Sequence, residues 1–205
     1  MNELKFRQPS RRSVIAGGLL WPLVLPRAAA AAEQAADLLV YSDGIAFWGG
    51  TAFRCALGRN GVSRQKREGD NTTPVGSWPL RQLLYRADRL RQPATHLPVR
   101  QLTPSDGWSD EPADPDYNRL VKLPRAAHAE QLWRRDQLYD LIVPLGYNDD
   151  PIVPGAGSAV FMHVARPTFS PTAGCVAFAL NNLLTILSTA TTTTRLVVHA
   201  EASRI

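Results

Sequence analysis

Cysteine is scarce in this chain, in which Cys55 and Cys175 are the only two among 205 residues. Two cysteines are too few for a disulfide scaffold, and neither belongs to a Cys-x-x-Cys pair or lies at zinc-ligand spacing from a histidine. The sequence therefore predicts no metal site and no cofactor. If the chain reaches an oxidising compartment, a single disulfide is an open alternative to two free thiols.

An excess of charge of one sign is also missing once the first 32 residues are set aside. The whole chain has a net charge of +5, but residues 1–32 hold five of its 23 basic residues and one of its 18 acidic residues. The remainder has 18 basic and 17 acidic residues, with no basic stripe interleaved with aromatic residues. This balance gives no electrostatic footprint for a phosphate backbone, so nucleic acid is not an expected partner.

The apolar run near the start of the chain is too short to cross a membrane. It extends from Val14 to Leu25, and twelve helical residues rise only about 18 Å against a hydrocarbon core of about 30 Å. A basic start, this run and the small residues 28–32 follow the order of a cleaved export signal. We predict a signal peptide over residues 1–32, with a twin-arginine-like motif at residues 10–15. The mature domain, residues 33–205, is then periplasmic or cell-wall associated and has no integral membrane span.

Hydrophobic periodicity predicts a mainly β fold of one domain, either a β-sandwich or a partly closed barrel, with one or two short helices. Three strands are predicted between Leu38 and Leu57, because Asp-Gly and Gly-Gly pairs separate apolar stretches there and favour hairpin turns. Leucines at three- and four-residue steps predict a helix over Leu180–Thr189, and a shorter helical turn is predicted around Ala127–Arg135. Further strands are predicted at Ser77–Tyr85, Asn118–Leu123, Leu138–Pro144, Ala159–Ala165 and Arg195–Ala200.

Residues 86–117 are predicted to form one long loop, because five prolines between residues 93 and 115 exclude regular ladders through most of the segment. Loops of this length in compact domains are usually lids or binding loops. Trp108 has acidic neighbours at Asp106, Asp110 and Glu111, which makes the segment a candidate substrate-binding lid. The alternative is a solvated excursion with Trp108 packed onto the body of the domain.

The residues that suggest chemistry are concentrated between 161 and 177, where a histidine on an apolar strand is followed by a glycine and a cysteine. Strand alternation places His163 on the same face as Phe161, and eleven residues separate it from Cys175, enough for a loop that returns to the strand. An imidazole beside a thiol can take its proton, which gives a strong nucleophile and a general acid for the leaving amine. Gly174 allows a tight turn whose amides point at a developing oxyanion.

The same segment resembles a known family. Residues 170–177, Ser-Pro-Thr-Ala-Gly-Cys-Val-Ala, follow His163 and resemble the YkuD-like L,D-transpeptidase catalytic domain, whose pattern is a histidine, a loop and then Ser/Thr-His-Gly-Cys-x-Arg. Upstream, residues 58–62 and 66–76 resemble the Gly-Thr-Pro-x-Gly region of that family. Without the family, those residues are a polar loop that enters a strand.

The resemblance implies a cysteine acyltransferase that works on the stem peptides of peptidoglycan. Cys175 would attack a peptide carbonyl, release a terminal D-residue and pass the acyl group to another amine, while His163 acts first as base and then as acid. The family also implies a lid over the site, a role that suits the Trp108 region, and acylation of the thiol by carbapenems.

Two positions depart from the family pattern. Ala173 stands where the family usually has a second histidine, and Ala177 stands where it usually has an arginine. Backbone oxyanion donors survive these changes, but a substrate carboxylate must be recognised by another residue. Arg166 is the nearest candidate, because a guanidinium pairs bidentately with a carboxylate, and a plain surface charge is the alternative. Tyr147 and Asn148 are candidates for lining the cleft, although a turn after a strand explains them equally well.

Three other functions remain open from the sequence alone. A hydrolase, such as an L,D-carboxypeptidase, would use the same acyl-enzyme and resolve it with water. A non-catalytic module would bind cell-wall peptides in the same groove without chemistry at Cys175. A redox thiol pair would require Cys55 and Cys175 to form a reversible disulfide.

Overall fold

The computed structural model describes Met1 and residues 37–204. The predicted signal peptide, apart from Met1, lies outside these described residues. Within residues 37–204 the chain forms fifteen short strands and one helix, which confirms the predicted mainly β class. The helix α1 spans Leu180–Thr189, as the leucine spacing predicted. The strands are β1 Leu38–Val40, β2 Ile45–Trp48, β3 Thr51–Ala56, β4 Val62–Ser63, β5 Thr73–Pro74, β6 Gly76–Pro79, β7 Leu83–Tyr85, β8 Val99–Gln101, β9 Asp106–Ser109, β10 Leu120–Lys122, β11 Ala129–Gln131, β12 Leu141–Pro144, β13 Phe161–Val164, β14 Val176–Phe178 and β15 Arg195–Val198.

Ten of these strands form one curled sheet in the order β6-β15-β1-β2-β3-β14-β13-β12-β7-β8. The curl brings distant strands together. Leu80, which follows the edge strand β6, forms an isolated bridge with Leu145, which follows β12. The amide of Gly146 also donates a hydrogen bond to the carbonyl of Pro79 at 2.8 Å. The sheet is therefore a half-barrel, consistent with the predicted sandwich or partly closed barrel.

The sheet buries apolar side chains on both of its faces. On one face, Leu183, Ile186 and Leu187 of α1 pack into the larger core together with Met162 of β13. On the other face, Phe161 of β13 belongs to a second core, against which residues of the small sheet β10-β9-β11 pack. Because successive strand residues point to opposite faces, β13 contributes to both cores. This layering fixes which side chains of β13 and β14 face the second layer.

The hairpins predicted for the first part of the domain are confirmed. β1 pairs antiparallel with β2, and β2 with β3. Gly49 and Gly50 connect β2 to β3 with φ of 54° and 77°, the positive values that a tight two-residue hairpin turn requires.

The helical turn predicted around Ala127–Arg135 is wrong. Part of this segment is β11, which pairs antiparallel with β9, and the amide of Leu132 donates to the carbonyl of Asp106 at 3.0 Å. Leu132 does point inward and is fully buried. Leu132 is buried because β11 pairs with a strand that is distant in sequence, and such a pairing cannot be predicted from local helical spacing. The strand predicted over Ser77–Tyr85 is likewise two strands, β6 and β7, at separate places in the large sheet.

Residues 86–117 are not one continuous loop, because the segment contains β8 and β9, but most of its residues lie outside the strands, as predicted. Its prolines lie between the strands rather than within them, so they interrupt no ladder. Asp106 is fully buried on β9 and forms ion pairs with Arg100 and Lys122 at 2.8 and 2.7 Å. This carboxylate stabilises the fold and is not an exposed binding group.

Candidate active site

Two adjacent parallel strands place the predicted histidine and cysteine on the same face of the sheet. In the β13–β14 pair, His163 is aligned with Ala177, and Met162 is aligned with Val176. Cys175 directly precedes Val176 and therefore shares the face of Ala177 and of His163, by strand alternation. The side chains of His163 and Cys175 consequently point into the same layer from neighbouring strands.

Both residues line a cavity of about 330 Å³. The cavity is bordered by segments that are far apart in sequence, namely the loop before β5, the end of β9, β11 with the residues after it, β13, and the turn before β14. Of the predicted site residues, Cys175, His163, Gly174 and Arg166 lie here. Residues that sequence reasoning did not assign to the site also line it, among them Lys66, Glu68, Glu130, Arg134 and Tyr139.

The thiol of Cys175 is held by two backbone groups. Its Sγ donates a hydrogen bond to the carbonyl of Ala159 at 3.2 Å and accepts one from the amide of Phe161 at 3.3 Å. The residue is 7% exposed, and burial raises the pKa of the thiol to about 12. The thiol is therefore protonated at neutral pH in this state.

The His163 imidazole has a defined tautomer. Nδ1 lies 2.8 Å from the carbonyl oxygen of Val164, and because a carbonyl only accepts, Nδ1 carries the proton. The lone pair is thus on Nε2, which has no hydrogen-bond partner among the described residues. His163 is 5% exposed, and burial lowers its pKa to about 4. At neutral pH it is a neutral base at the wall of the cavity.

The turn before Cys175 is packed against the upstream loop. Gly174 has φ of 138°, and a Cβ there would lie 2.8 Å from the carbonyl oxygen of Thr72, so only glycine fits. Its amide donates to Oγ1 of Thr172 at 3.1 Å, and the same hydroxyl donates to the carbonyl of Cys175 at 2.8 Å. The amide of Arg59 also donates to the carbonyl of Thr172 at 2.9 Å. The upstream segments 58–62 and 66–76 and the segment 170–177, which resemble the same family, are therefore in direct contact.

A partly buried ion pair lies in the upstream loop at this contact. Nζ of Lys66 is 2.6 Å from Oδ1 of Asp70, and the lysine side chain is only 5% exposed. Burial disfavours the charged carboxylate, but hydrogen bonds from Lys66, Thr72 and Arg67 outweigh that effect and lower the pKa of Asp70 to about 2. The Asp70 carboxylate therefore stays ionised at neutral pH.

The loop that precedes β13 is fixed by the Glu68 carboxylate. Its Oε2 accepts hydrogen bonds from the hydroxyls of Tyr117 and Ser158, the latter at 2.7 Å. The hydroxyl of Tyr117 accepts in turn from the amide of Gly157 at 3.1 Å. This cluster sets the path of the chain just before Ala159, the residue that accepts the thiol hydrogen bond.

One wall of the cavity combines an aromatic ring with a carboxyl group. The Tyr139 ring lies edge-on to the His163 ring, with centroids 5.3 Å apart, and its hydroxyl donates to Oε1 of Glu130 at 2.6 Å. Burial raises the pKa of both Tyr139 and Glu130. The guanidinium of Arg134 lies 5.1 Å from the centre of the Tyr139 ring. No local motif marks these residues, because pairing of β11 with β9 is what brings Glu130 to the cavity.

Trp108, proposed from sequence as part of a lid, lies on β9. Its indole N–H donates to Oδ1 of Asn118 at 2.9 Å, and its ring is edge-on to Phe161 with centroids 5.1 Å apart. It is not among the residues that line the cavity. In this structure the Trp108 ring packs against the second core.

Tyr147 and Asn148 also lie outside the cavity lining. The Tyr147 hydroxyl donates to the carbonyl of Ala156, and the Asn148 amide donates to the carbonyls of Val153 and Gly157 at 3.0 and 2.9 Å. Both side chains thus hold the loop that leads into β13.

Neither a disulfide nor a metal cluster is found in the described part of the chain. Cys55 and Cys175 are both free thiols, and no group of three histidine, cysteine, aspartate or glutamate residues in that part is arranged to hold a metal ion. The helix that the structure describes is not long and apolar enough to cross a membrane. α1 follows β14 and contributes no residue to the cavity lining.

Cysteine-dependent acyl transfer uses a cysteine beside a histidine base, and this mainly β domain has both residue types at one cavity. The chain belongs to the YkuD family, described as the L,D-transpeptidase catalytic domain, whose sequence model matches residues 32–198. This family consists of cysteine-dependent transpeptidase-type enzymes that act on peptidoglycan. The resemblance seen in the sequence is thereby confirmed. Searches among curated proteins and among solved structures found no match to this chain.

Proposed function

We propose that this protein is a peptidoglycan L,D-transpeptidase in which Cys175 is the nucleophile and His163 the general base. The observation that carries the proposal is the shared face of β13 and β14, which directs both side chains into one cavity. The hydrogen bond from Nδ1 of His163 to Val164 supports the role of the imidazole, because it leaves the lone pair on Nε2.

The reaction begins with a proton transfer that the resting state does not favour. The thiol donates its hydrogen bond to the Ala159 carbonyl rather than to His163. Burial also disfavours both charged products of the transfer, the thiolate and the imidazolium. We infer that substrate binding turns the thiol from Ala159 toward Nε2 of His163. The thiolate then attacks the peptide carbonyl carbon of the stem peptide while the imidazolium holds the proton.

Collapse of the tetrahedral intermediate breaks the C–N bond, and the imidazolium gives its proton to the departing D-residue amine. The thioester is then attacked by an acceptor amine, whose proton passes to His163, and the thiol is regenerated. We assign the amide of Gly174 as a hydrogen-bond donor to the oxyanion. In the resting state this amide donates to the Thr172 hydroxyl, and the substrate oxygen would replace that hydroxyl as acceptor. Arg166, exposed at the cavity, is assigned to a substrate carboxylate.

We assign supporting roles to the other candidates. Tyr147 and Asn148 hold the loop before β13, and Trp108 holds the side chain of Asn118 through its indole N–H. The leader over residues 1–32 would bring the domain to the periplasm or cell wall, where stem peptides occur. Export is tested by comparing the mass of the chain secreted by its host with the mass of the full sequence.

The function is tested with purified protein and muropeptides whose products are identified by mass. Transfer yields cross-linked dimers, whereas the hydrolase alternative yields only shortened monomers. Cys175→Ser and His163→Ala should abolish both products, while Cys55→Ala, the matched thiol control, should retain them. If Cys175→Ser retains full activity, the nucleophile assignment is wrong, and the non-catalytic binding alternative gains support if wild-type protein binds muropeptides without converting them.

Carbapenem labelling gives a second readout of the same site. A carbapenem is expected to add its mass to the wild-type protein through an acyl bond to Cys175, and neither Cys175→Ser nor His163→Ala should be labelled. An unlabelled wild-type protein with its thiols shown to be free by mass would contradict the proposed acylation.

A further inference from the structure

The Lys66 ammonium is an unusual feature of the cavity that contains Cys175, because the side chain that carries it is only 5% exposed. Nζ donates hydrogen bonds to Oδ1 of Asp70 at 2.6 Å and to the carbonyl of Arg67 at 3.1 Å. Burying an ammonium is costly unless it is paired and hydrogen-bonded. The surrounding loop supplies both conditions, so the position of the charge is defined by the fold.

Two glycines make room for this side chain. A Cβ on Gly157 would lie 3.1 Å from Cγ and 3.2 Å from Cε of Lys66, and a Cβ on Gly174 would lie 3.5 Å from Nζ and 3.6 Å from Cε. The aliphatic stem therefore passes between the loop before β13 and the turn before β14. Its ammonium ends beside Gly174, the residue that precedes Cys175.

The carboxylate partner of Lys66 is occupied by other donors. Asp70 also accepts hydrogen bonds from the amide and hydroxyl of Thr72, at 2.8 and 2.9 Å, and from the amide of Arg67 at 2.7 Å. Its negative charge is thus shared among groups of its own loop. One N–H of the Lys66 ammonium has no partner among the described residues, and Lys66 lines the cavity.

The other charges that line the cavity are less suited to stabilise an anion at Cys175. Two arginines lie on its exposed side, and the third, Arg134, makes two hydrogen bonds to Asp136 at 2.9 and 2.7 Å. The carboxyl groups oppose a negative charge, and the remaining titratable groups, His163 and Tyr139, are neutral at pH 7. The lining carboxyl groups are Glu68, Asp110 and Glu130, and the arginines are Arg59, Arg134 and Arg166.

We propose that Lys66 is the charge-stabilising residue of this site: its ammonium stabilises negative charge on Sγ of Cys175 when the thiol loses its proton to His163. The inference rests on the proposed function in so far as Cys175 is the nucleophile. It explains how a thiol buried among apolar groups becomes reactive, since a nearby positive charge favours the thiolate. Burial and the nearby Glu130 carboxyl raise the pKa of Cys175, and the positive charge of Lys66 acts against them.

The test uses the opposite signs of the two partners in the ion pair. In a Cys55→Ala background of the full chain, the rate of alkylation of Cys175 by iodoacetamide is measured from pH 7 to 9 by intact mass. Lys66→Met removes the positive charge and should slow alkylation at least threefold. Asp70→Asn breaks the same ion pair but leaves the ammonium, so it should accelerate alkylation. Lys66→Arg, which keeps the charge, should remain within about twofold of the parent, because a positive charge near the thiol still favours the thiolate.

A purely structural role of the ion pair predicts a different result, because both substitutions break the same contact. Changes of the same direction in Lys66→Met and Asp70→Asn, or no change in either, would overturn the proposal. If Lys66→Met does not fold, as judged by its circular dichroism, Asp70→Asn decides alone: faster alkylation supports the proposal and equal or slower alkylation rejects it. The same circular dichroism measurement is made on each variant.

The experiment is independent of any peptidoglycan substrate. A clear Lys66 effect in a protein that converts no muropeptide would reject the proposed function but leave the charge assignment. Muropeptide conversion without an effect of Lys66→Met on alkylation would support the proposed function and reject the charge assignment.

Discussion

The thiol of Cys175 donates its hydrogen bond to the backbone carbonyl of Ala159, 3.2 Å away, rather than to a side chain. Ala159 has φ of 51°, in the left-handed region that residues with a Cβ rarely adopt. Such a conformation persists only when the surroundings hold it. Here the amide of Ala159 donates to Oδ1 of Asn118 at 3.1 Å, so the position of the thiol acceptor depends on a residue 41 positions away.

Asn118→Ala is therefore expected to destabilise the protein by about 3 kcal/mol, because it leaves several buried polar groups without partners. Oδ1 of Asn118 accepts from Ala159 and Trp108, and Nδ2 donates to the carbonyls of Tyr147 and Asn148. Urea unfolding measures the change. Asn118→Asp keeps the acceptor but loses both donors and places a carboxylate beside the carbonyls of Tyr147 and Asn148, so it should cost at least as much. An Asn118→Ala protein as stable as the wild type would contradict this account.

The sequence predicted those parts of the fold whose signals are local. The hairpins of β1–β3 follow from Asp-Gly and Gly-Gly pairs, and α1 follows from leucine spacing. The proximity of His163 and Cys175 was predicted from a loop that returns to the strand, whereas their common face comes from β14, a strand that was not predicted. The hairpins, the helix and this proximity each depend on residues that are close together in the sequence, so they can be predicted from local sequence patterns.

The remaining features depend on contacts between distant segments. β8, β9 and β11 are three or four residues long, and they exist because partner strands complete their hydrogen bonds. Lys66 and Glu130 reach the cavity from separate segments, and no spacing rule connects them to Cys175. The thiol acceptor on Ala159 is a backbone carbonyl, which every residue has, so the sequence holds no mark of it.

His163 is expected to make the protein sensitive to mild acid. Its pKa is about 6.5 when unfolded but lowered to about 4 in the fold, so the unfolded state binds the extra proton first as the pH falls. The contribution to stability is present above pH 6.5 and is lost between pH 6.5 and 4, amounting to roughly 3 kcal/mol.

The measurement is urea unfolding of wild-type protein and His163→Gln at pH 7 and pH 4. The difference in the free energy of unfolding between the two proteins should shift by this amount in favour of the variant at the lower pH. Carboxylates with lowered pKa values, such as Asp70, contribute equally to both proteins and cancel. A difference that does not change with pH would show that His163 is not buried in its neutral form.

Trp108→Phe tests whether the tryptophan acts as a substrate contact or as a support for Asn118. The substitution removes the indole N–H that donates to Asn118 but retains a ring against Phe161. We expect a loss of about 1 kcal/mol in the free energy of unfolding, as for one hydrogen bond, with KM for a stem-peptide donor unchanged. An increase in KM without a loss of stability would instead favour the interpretation of Trp108 as part of a substrate-binding lid.

Arg166→Ala tests the assignment of the substrate carboxylate. The guanidinium lines the cavity, and the residue is exposed, so its removal should leave the free energy of unfolding within about 0.5 kcal/mol of the wild type. A lost charge-assisted hydrogen bond of about 1.5 kcal/mol corresponds to roughly a tenfold increase in KM for a donor with a free carboxylate. kcat should change little, because a contact to the substrate carboxylate is made equally in the ground state and in the transition state. A donor in which that carboxylate is amidated should bind wild type and variant equally, since it offers no charge to pair. If the substitution impairs the amidated donor to the same extent, Arg166 acts on the site in another way and the carboxylate is bound elsewhere.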